Sequence, residues 1–262
     1  MMKKNILIVL LVMMASPMFL LAQAKKQQGE YYQVTVYHFT NAEQADLLDT
    51  YLSKSYLPAL HRQQVKSVGV FTPIANDTAT DKRCYIIFPL RRAGSVEDIE
   101  QKLDKDAAYQ ASGRTFMDAA YDKPAFTRKE VILLKSFPLA PSMIVPKLQS
   151  PVADRVYELR SYESASEKIF RNKVQMFNEG DEIGLFNRLK FNAVFYASVI
   201  AGSRMPNLMY MTSFENMAER DAHWKAFGSD PQWKVLSAKP EYQHNVSRNE
   251  TILMRARPYS DY

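Results

Sequence analysis

Cysteine is nearly missing from this chain: Cys84 is the only one in 262 residues, so no disulfide can form within it and stability has to come from burial. Cys84 lies in the apolar run Cys84-Tyr85-Ile86-Ile87-Phe88, where a small buried hydrophobe is expected rather than a reactive thiol. Glycine is scarce as well, with 8 residues, and the 47% apolar and 24% charged balance is that of a globular chain and not of a disordered or fibrous one. No glycine-rich phosphate loop, no G-x-S-x-G and no His-Glu-x-x-His is present. The remaining histidines beside His38, namely His61, His223 and His244, have no paired metal-ligand spacing, so neither a metal site nor a bound cofactor is expected. No single-sign charge block exists either. Lys and Arg are interspersed with acids, which argues against a nucleic-acid partner, since that role needs a basic face or stripe.

One long apolar run is present, and it lies at the start. Lys3 and Lys4 precede Ile6 to Leu21, broken only by Ser16 and Pro17, and Ala22-Gln23-Ala24 has the small-x-small form of a signal-peptidase site. A retained anchor is the rival reading, but the stretch falls short of the ~20 residues a spanning helix needs. The expectation is a signal peptide over residues 1–24, cut before Gln23 or before Lys25, giving an exported periplasmic or extracellular protein with no membrane span after cleavage. Its removal takes away Lys3 and Lys4 and no acid, lowering the formal charge from +6 to +4.

The rest of the chain reads as two copies of one pattern. Arg128-Lys129-Glu130-Val131-Ile132-Leu133-Leu134 matches Arg248-Asn249-Glu250-Thr251-Ile252-Leu253-Met254. Tyr85 to Leu90 aligns with Met209 to Phe214, and Asp106 to Tyr109 with Asp230 to Trp233. The opening strands are aligned as Val34 to Phe39 with Val156 to Ser161. Pro138, Pro141, Pro146 and Pro151 mark an extended linker. The expected units are 31–137 and 154–259, joined by a proline-rich linker at 138–153.

Each unit shows the order strand, helix, strand, strand, helix, strand. The strands expected are 32–39, 68–74, 84–90 and 128–137 in the first unit, and 155–162, 191–201, 207–214 and 248–256 in the second. Capping-box spacing at Asn41, Ser95, Ser164 and Asn216 opens the helices. The order β-α-β-β-α-β is ferredoxin-like, with both helices on one sheet face. Two such units in tandem can hide their bare faces from water by packing sheet to sheet. The fold expected is therefore α+β, a pseudo-twofold barrel from two ferredoxin-like units.

Several segments resemble the NIPSNAP family. These are Val156-Tyr157-Glu158-Leu159-Arg160-Ser161-Tyr162, His223-Trp224-x-x-Phe227, Asp230-Pro231-x-Trp233-Lys234, and Asn245-Val246-Ser247-x-x-Glu250-Thr251-x-Leu253-Met254. Leu57-Pro58-Ala59-Leu60 running into Val68-Gly69-Val70-Phe71 adds a looser match in the first unit. The resemblance implies the dimeric α+β barrel superfamily. It carries no settled activity, and the mitochondrial roles of animal members do not transfer to a chain with an export signal. Val36 and His38 stand where the alignment places Glu158 and Arg160.

Glu158 and Arg160, two apart on a strand, share one face. With helices on the other face they would look into the space between the sheets, either as an anchor for a ligand's head group or, as we prefer, as a salt bridge fixing how the units dock. His38 is expected on the same face, as a satisfied interior histidine ahead of a general base. Trp224, Phe227 and Trp233 read as core before they read as a pocket wall. Asp230-Pro231 is a helix start, and Glu130 and Glu250 are given matching structural jobs. No catalytic residue is identified. Two functions remain: a module binding a small apolar ligand or a protein partner, with homo-oligomerisation open, or a cofactor-poor monooxygenase or isomerase using Glu158, Arg160 or His38.

Overall fold

A computed structural model describes residues 28–262, so the expected signal peptide lies outside the described residues. The described residues form eight strands and eight α-helices, the helices falling in consecutive pairs between strands. The first half contains β1 (Tyr31–Phe39), α1 (Ala42–Tyr51), α2 (Leu57–Arg62), β2 (Gly69–Pro73), β3 (Lys82–Leu90), α3 (Ser95–Lys105), α4 (Ala107–Met117) and β4 (Arg128–Ser136). The second contains β5 (Val156–Glu163), α5 (Glu167–Asn178), α6 (Glu182–Arg188), β6 (Phe195–Ala201), β7 (Asn207–Phe214), α7 (Met217–Ser229), α8 (Pro231–Ala238) and β8 (Arg248–Ala256). A π-helical turn, Leu52–Tyr56, joins α1 to α2 into one continuous helical run.

Helix starts follow local chemistry. Asn41 and Asn216 cap α1 and α7 by accepting from the backbone N–H of Gln44 and Glu219. Asp106 and Asp230 do the same for α4 and α8, so each of these long helical segments breaks at an aspartate. Two expected caps are corrected. Ser166, not Ser164, caps α5, and Ser164 instead donates to the carbonyl of Asn245. At α3 the N-cap is Gly94, and Ser95 is already helical.

The strands hydrogen-bond in the order β1-β3-β2-β8-β5-β7-β6-β4 and close into one barrel, all neighbours antiparallel. Within each half the order is therefore β4-β1-β3-β2 or β8-β5-β7-β6. The inner faces of the two halves meet in one core, and the halves are also hydrogen-bonded edge to edge. Both joints are short. β2 meets β8 only over Phe71–Pro73, and β4 meets β6 over Leu133–Ser136 with a bulge.

Helices lie outside the barrel, and β1 and β7 in particular bury both faces. Inside, Tyr32, Val34 and Val36 of β1 meet Tyr85, Ile87, Leu134, Tyr157, Leu159, Phe195, Met209, Met211 and Met254. Outside, one layer packs Tyr37, Phe39, Ile86 and Phe88 against α1–α4, and another packs Tyr196, Leu208, Tyr210 and Phe214 against α5–α8. The proline-rich stretch lies along the barrel and sends Leu148 into the interior core. None of the helices among the described residues is long and apolar enough to cross a membrane.

Candidate functional site

Strand alternation places the site residues, and here one expectation fails. Tyr157 and Leu159 point into the barrel, so Glu158 and Arg160 point outward, into the helix layer. The cause is register. Val36 pairs with Glu130 on β4, and Ser161 pairs with Glu250 on β8. The residue equivalent to Val34 is thus Leu159, three places beyond Val156, and an odd slip exchanges the two faces of a strand. The outward partners of Glu158 and Arg160 in the first half are Gln33 and Thr35, joined by a buried 3.0 Å hydrogen bond. His38 belongs to the other face.

The outward cluster is a closed electrostatic unit. Glu158 is 0% exposed. One carboxylate oxygen accepts from Arg160 Nε at 2.5 Å and Arg220 Nη2 at 3.2 Å. The other accepts from Arg220 Nε at 2.7 Å and Trp224 Nε1 at 2.8 Å. Arg220 and Trp224 reach it together because they lie one turn apart on α7. Arg160 also stacks on the Trp224 ring at 3.8 Å and donates to Tyr162, which bonds Tyr210. Burial alone would raise the Glu158 carboxyl, but the bonds from Arg220 and Arg160 and from Trp224 outweigh it and hold it below its ordinary value. With donors on both oxygens, this carboxylate has nothing left to offer a ligand. Trp233 stands apart, packed on Phe227 at 4.5 Å within the aromatic layer that also holds Trp224.

The inward-facing polar residues gather at one mouth of the barrel. His38, at the end of β1, is 3% exposed. Its Nδ1 is 2.8 Å from Asp81 and its Nε2 is 3.2 Å from Glu130, which also pairs with Arg128. Arg83 on β3 donates to Asp81 at 3.0 Å and to Glu250 at 3.3 Å, and Arg204 pairs with the other oxygen of Glu250. Burial tends to raise the Asp81 carboxyl, yet the hydrogen bonds from His38 and Arg83 leave it below the usual range. Arg204 comes from the β6–β7 turn, whose Gly202 has φ +148°, a conformation closed to L side chains.

A cavity of about 40 Å³ lies among His38, Arg83, Tyr85, Glu130, Ser161, Arg204 and Glu250. Beyond it, where β8 runs past the end of its short pairing with β2, a groove of about 510 Å³ opens to the surface. Its walls are mostly apolar, including Ile74, Ala79, Ile252 and Leu253, and it shares Arg83, Tyr85 and Glu250 with the inner cavity. Of the residues expected to form a site, only His38 is here. Asp81, Arg83 and Arg204 were missed, and Glu130 and Glu250 were assigned to architecture. The repeated Arg-x-Glu at the two strand starts was the available signal. No group of three or more His, Cys, Asp or Glu able to hold a metal exists among the described residues.

The α+β barrel is a fold shared with known structures. A protein provisionally assigned as a monooxygenase from Lactobacillus acidophilus superposes with a TM-score of 0.57 at 11% identity, over 87% of this chain and 94% of its own. Another so assigned, from Fusobacterium nucleatum, gives 0.55 at 7% identity, over 88% and 93%. An anthrone oxidase-like protein gives 0.51 at 6%, over 88% and 93%. Residues 157–261 match the NIPSNAP family model, so the second half of the chain carries a NIPSNAP domain. No curated protein matches the sequence.

Proposed function

We propose that this chain is an exported barrel, built from two tandem ferredoxin-like units (31–137 and 154–259, joined by 138–153), that binds a small amphipathic molecule at the barrel mouth. The observation that carries this reading is the continuity of the groove with the mouth: a mostly apolar groove of about 510 Å³ ends on the partly buried charged side chains of Arg83 and Glu250. That size and lining match small-molecule sites in general. The barrel interior below the mouth is filled by its own side chains, so the ligand's body belongs in the groove and only its head reaches His38 and Arg83. The export reading rests on the basic, apolar and small-x-small order of residues 1–24.

The test is to fill the groove. Ala79→Trp places an indole between the loop before β3 and β8. Wild type should bind 1-anilinonaphthalene-8-sulfonate saturably at one equivalent, and the variant should lose most of that binding with unchanged circular dichroism. Equal binding by both would dismiss the groove.

A second reading, a cofactor-poor oxygenase or isomerase, has one observation in its favour. The 2.8 Å His38–Asp81 contact is the geometry of a base held by an orienting carboxylate. It requires Nε2 to leave Glu130 and Arg128 when substrate enters. Turnover abolished by His38→Gln with ligand affinity kept would decide for it.

A further inference from the structure

Resting on the mouth-binding reading, we propose that the ligand is an apolar carboxylate, its head held by Arg83 and Arg204 and its body in the groove. The hydrogen-bond inventory of the mouth leads to this class. Arg83 uses Nε on Asp81 and Nη1 on Glu250 and Tyr85, leaving Nη2 with no acceptor among the described residues. Arg204 uses only Nη1, on Glu250, so its Nε and Nη2 are likewise open. Against these, among the carboxylates lining the cavity and the groove, the one oxygen left without a donor is Oε2 of Glu130, since its Oε1 takes both His38 and Arg128. Open donors thus outnumber open acceptors, and they belong to guanidinium forks, whose paired N–H groups match a carboxylate's two oxygens.

Glu250 supplies the placement. It bridges the two arginines, which come from different halves of the barrel: Arg83 and Glu250 lie on the wall shared by cavity and groove, and Arg204 lines the cavity beside them. An incoming carboxylate takes the outward N–H groups while Glu250 keeps the ones it already has. Tyr85, 3.5 Å from Arg83 Nη1 and buried enough to keep its phenol protonated, adds a neutral donor on the same wall. The inner cavity of about 40 Å³ has room for a small planar head. An ammonium head would meet both guanidinium groups, with Glu130 Oε2 the one open carboxylate oxygen of the lining to receive it.

The experiment is calorimetric titration of the full chain with decanoate, decanol and decylamine below their aggregation limits. It is repeated on Arg204→Gln, an exposed turn position whose change spares the core, and on Ala79→Trp. Decanoate should bind about tenfold or more tightly than decanol. Arg204→Gln should erase most of that preference while leaving decanol affinity unchanged. If all three bind alike and Ala79→Trp abolishes all of them, the groove stands and the carboxylate assignment falls. Preference for decylamine overturns it as well. Binding that Ala79→Trp leaves untouched, or no binding at all, defeats the groove itself. Should Arg204→Gln unfold, Arg83→Lys, which keeps the charge and removes the fork, gives the same reading.

Discussion

Replacing Glu158 with glutamine should damage stability and spare binding. The isosteric amide keeps the volume but removes the negative charge that two guanidinium groups share, with Arg160 19% and Arg220 20% exposed in their side chains. Orphaning a buried charge costs about 3–5 kcal/mol, and the partial exposure of both arginines places this case near 3. For a chain of this size that lowers Tm by about 6–12 °C. The folded carboxyl sits below its ordinary 4.5, so on acidification the unfolded chain takes up the proton first. The stabilisation is complete above about 4.5 and is lost as pH falls through the lower, folded value. Glu158→Gln should therefore melt early at pH 7 and lose less on going to pH 4 than wild type does. Differential scanning calorimetry at both pH values, with probe titration alongside, measures each part. A variant that melts within 2 °C of wild type yet no longer binds the probe would refute the structural assignment and return Glu158 to the ligand site.

Other parts of the molecule give three further expected outcomes. Lys173 and Glu182 form a 2.9 Å pair with side chains 5% and 3% exposed, so Lys173→Met should cost about 3 kcal/mol by urea denaturation and Lys173→Met with Glu182→Leu should recover most of it. Gly202→Ala, at φ +148°, should destabilise by more than about 1 kcal/mol in the same assay, and a neutral result would mean the turn relaxes freely. Burial pushes the Cys84 thiol up to about 12, so a disulfide reagent at pH 8 should label it only at the rate of unfolding; immediate labelling in native buffer contradicts the packing.

The order of elements was legible from local chemistry, because apolar runs, aspartate and asparagine caps and proline positions act over a few residues. Strands read at 207–214 and 248–256 coincide with β7 and β8. Which way each side chain points was not legible. Half-exposed strands reveal their faces by alternation, but here the barrel core covers one side and the helices the other. β7 is buried at every position, and β1 at all but its first. With that cue gone, Val34 aligned with Val156 on residue likeness alone, and a slip of three moved Glu158 and Arg160 to the wrong side. The mouth escaped notice for another reason: Asp81 and Arg204 come from turns, and only closure of the barrel brings them to His38. The π-helical turn at Leu52–Tyr56 left no sequence signal that we can identify.

Barrel closure within one polypeptide has a consequence for stoichiometry. Two identical chains pairing in this way would necessarily present each side chain of the mouth in duplicate, because the equivalent strands β1 and β5 run in the same direction and end at the same mouth. Here Glu163 holds the place on β5 that matches His38 on β1, since each pairs with the arginine that opens the last strand of its half, Arg248 and Arg128. A single covalent chain can differentiate the two sides of that one mouth, so one imidazole, and one guest, is the natural complement of each molecule.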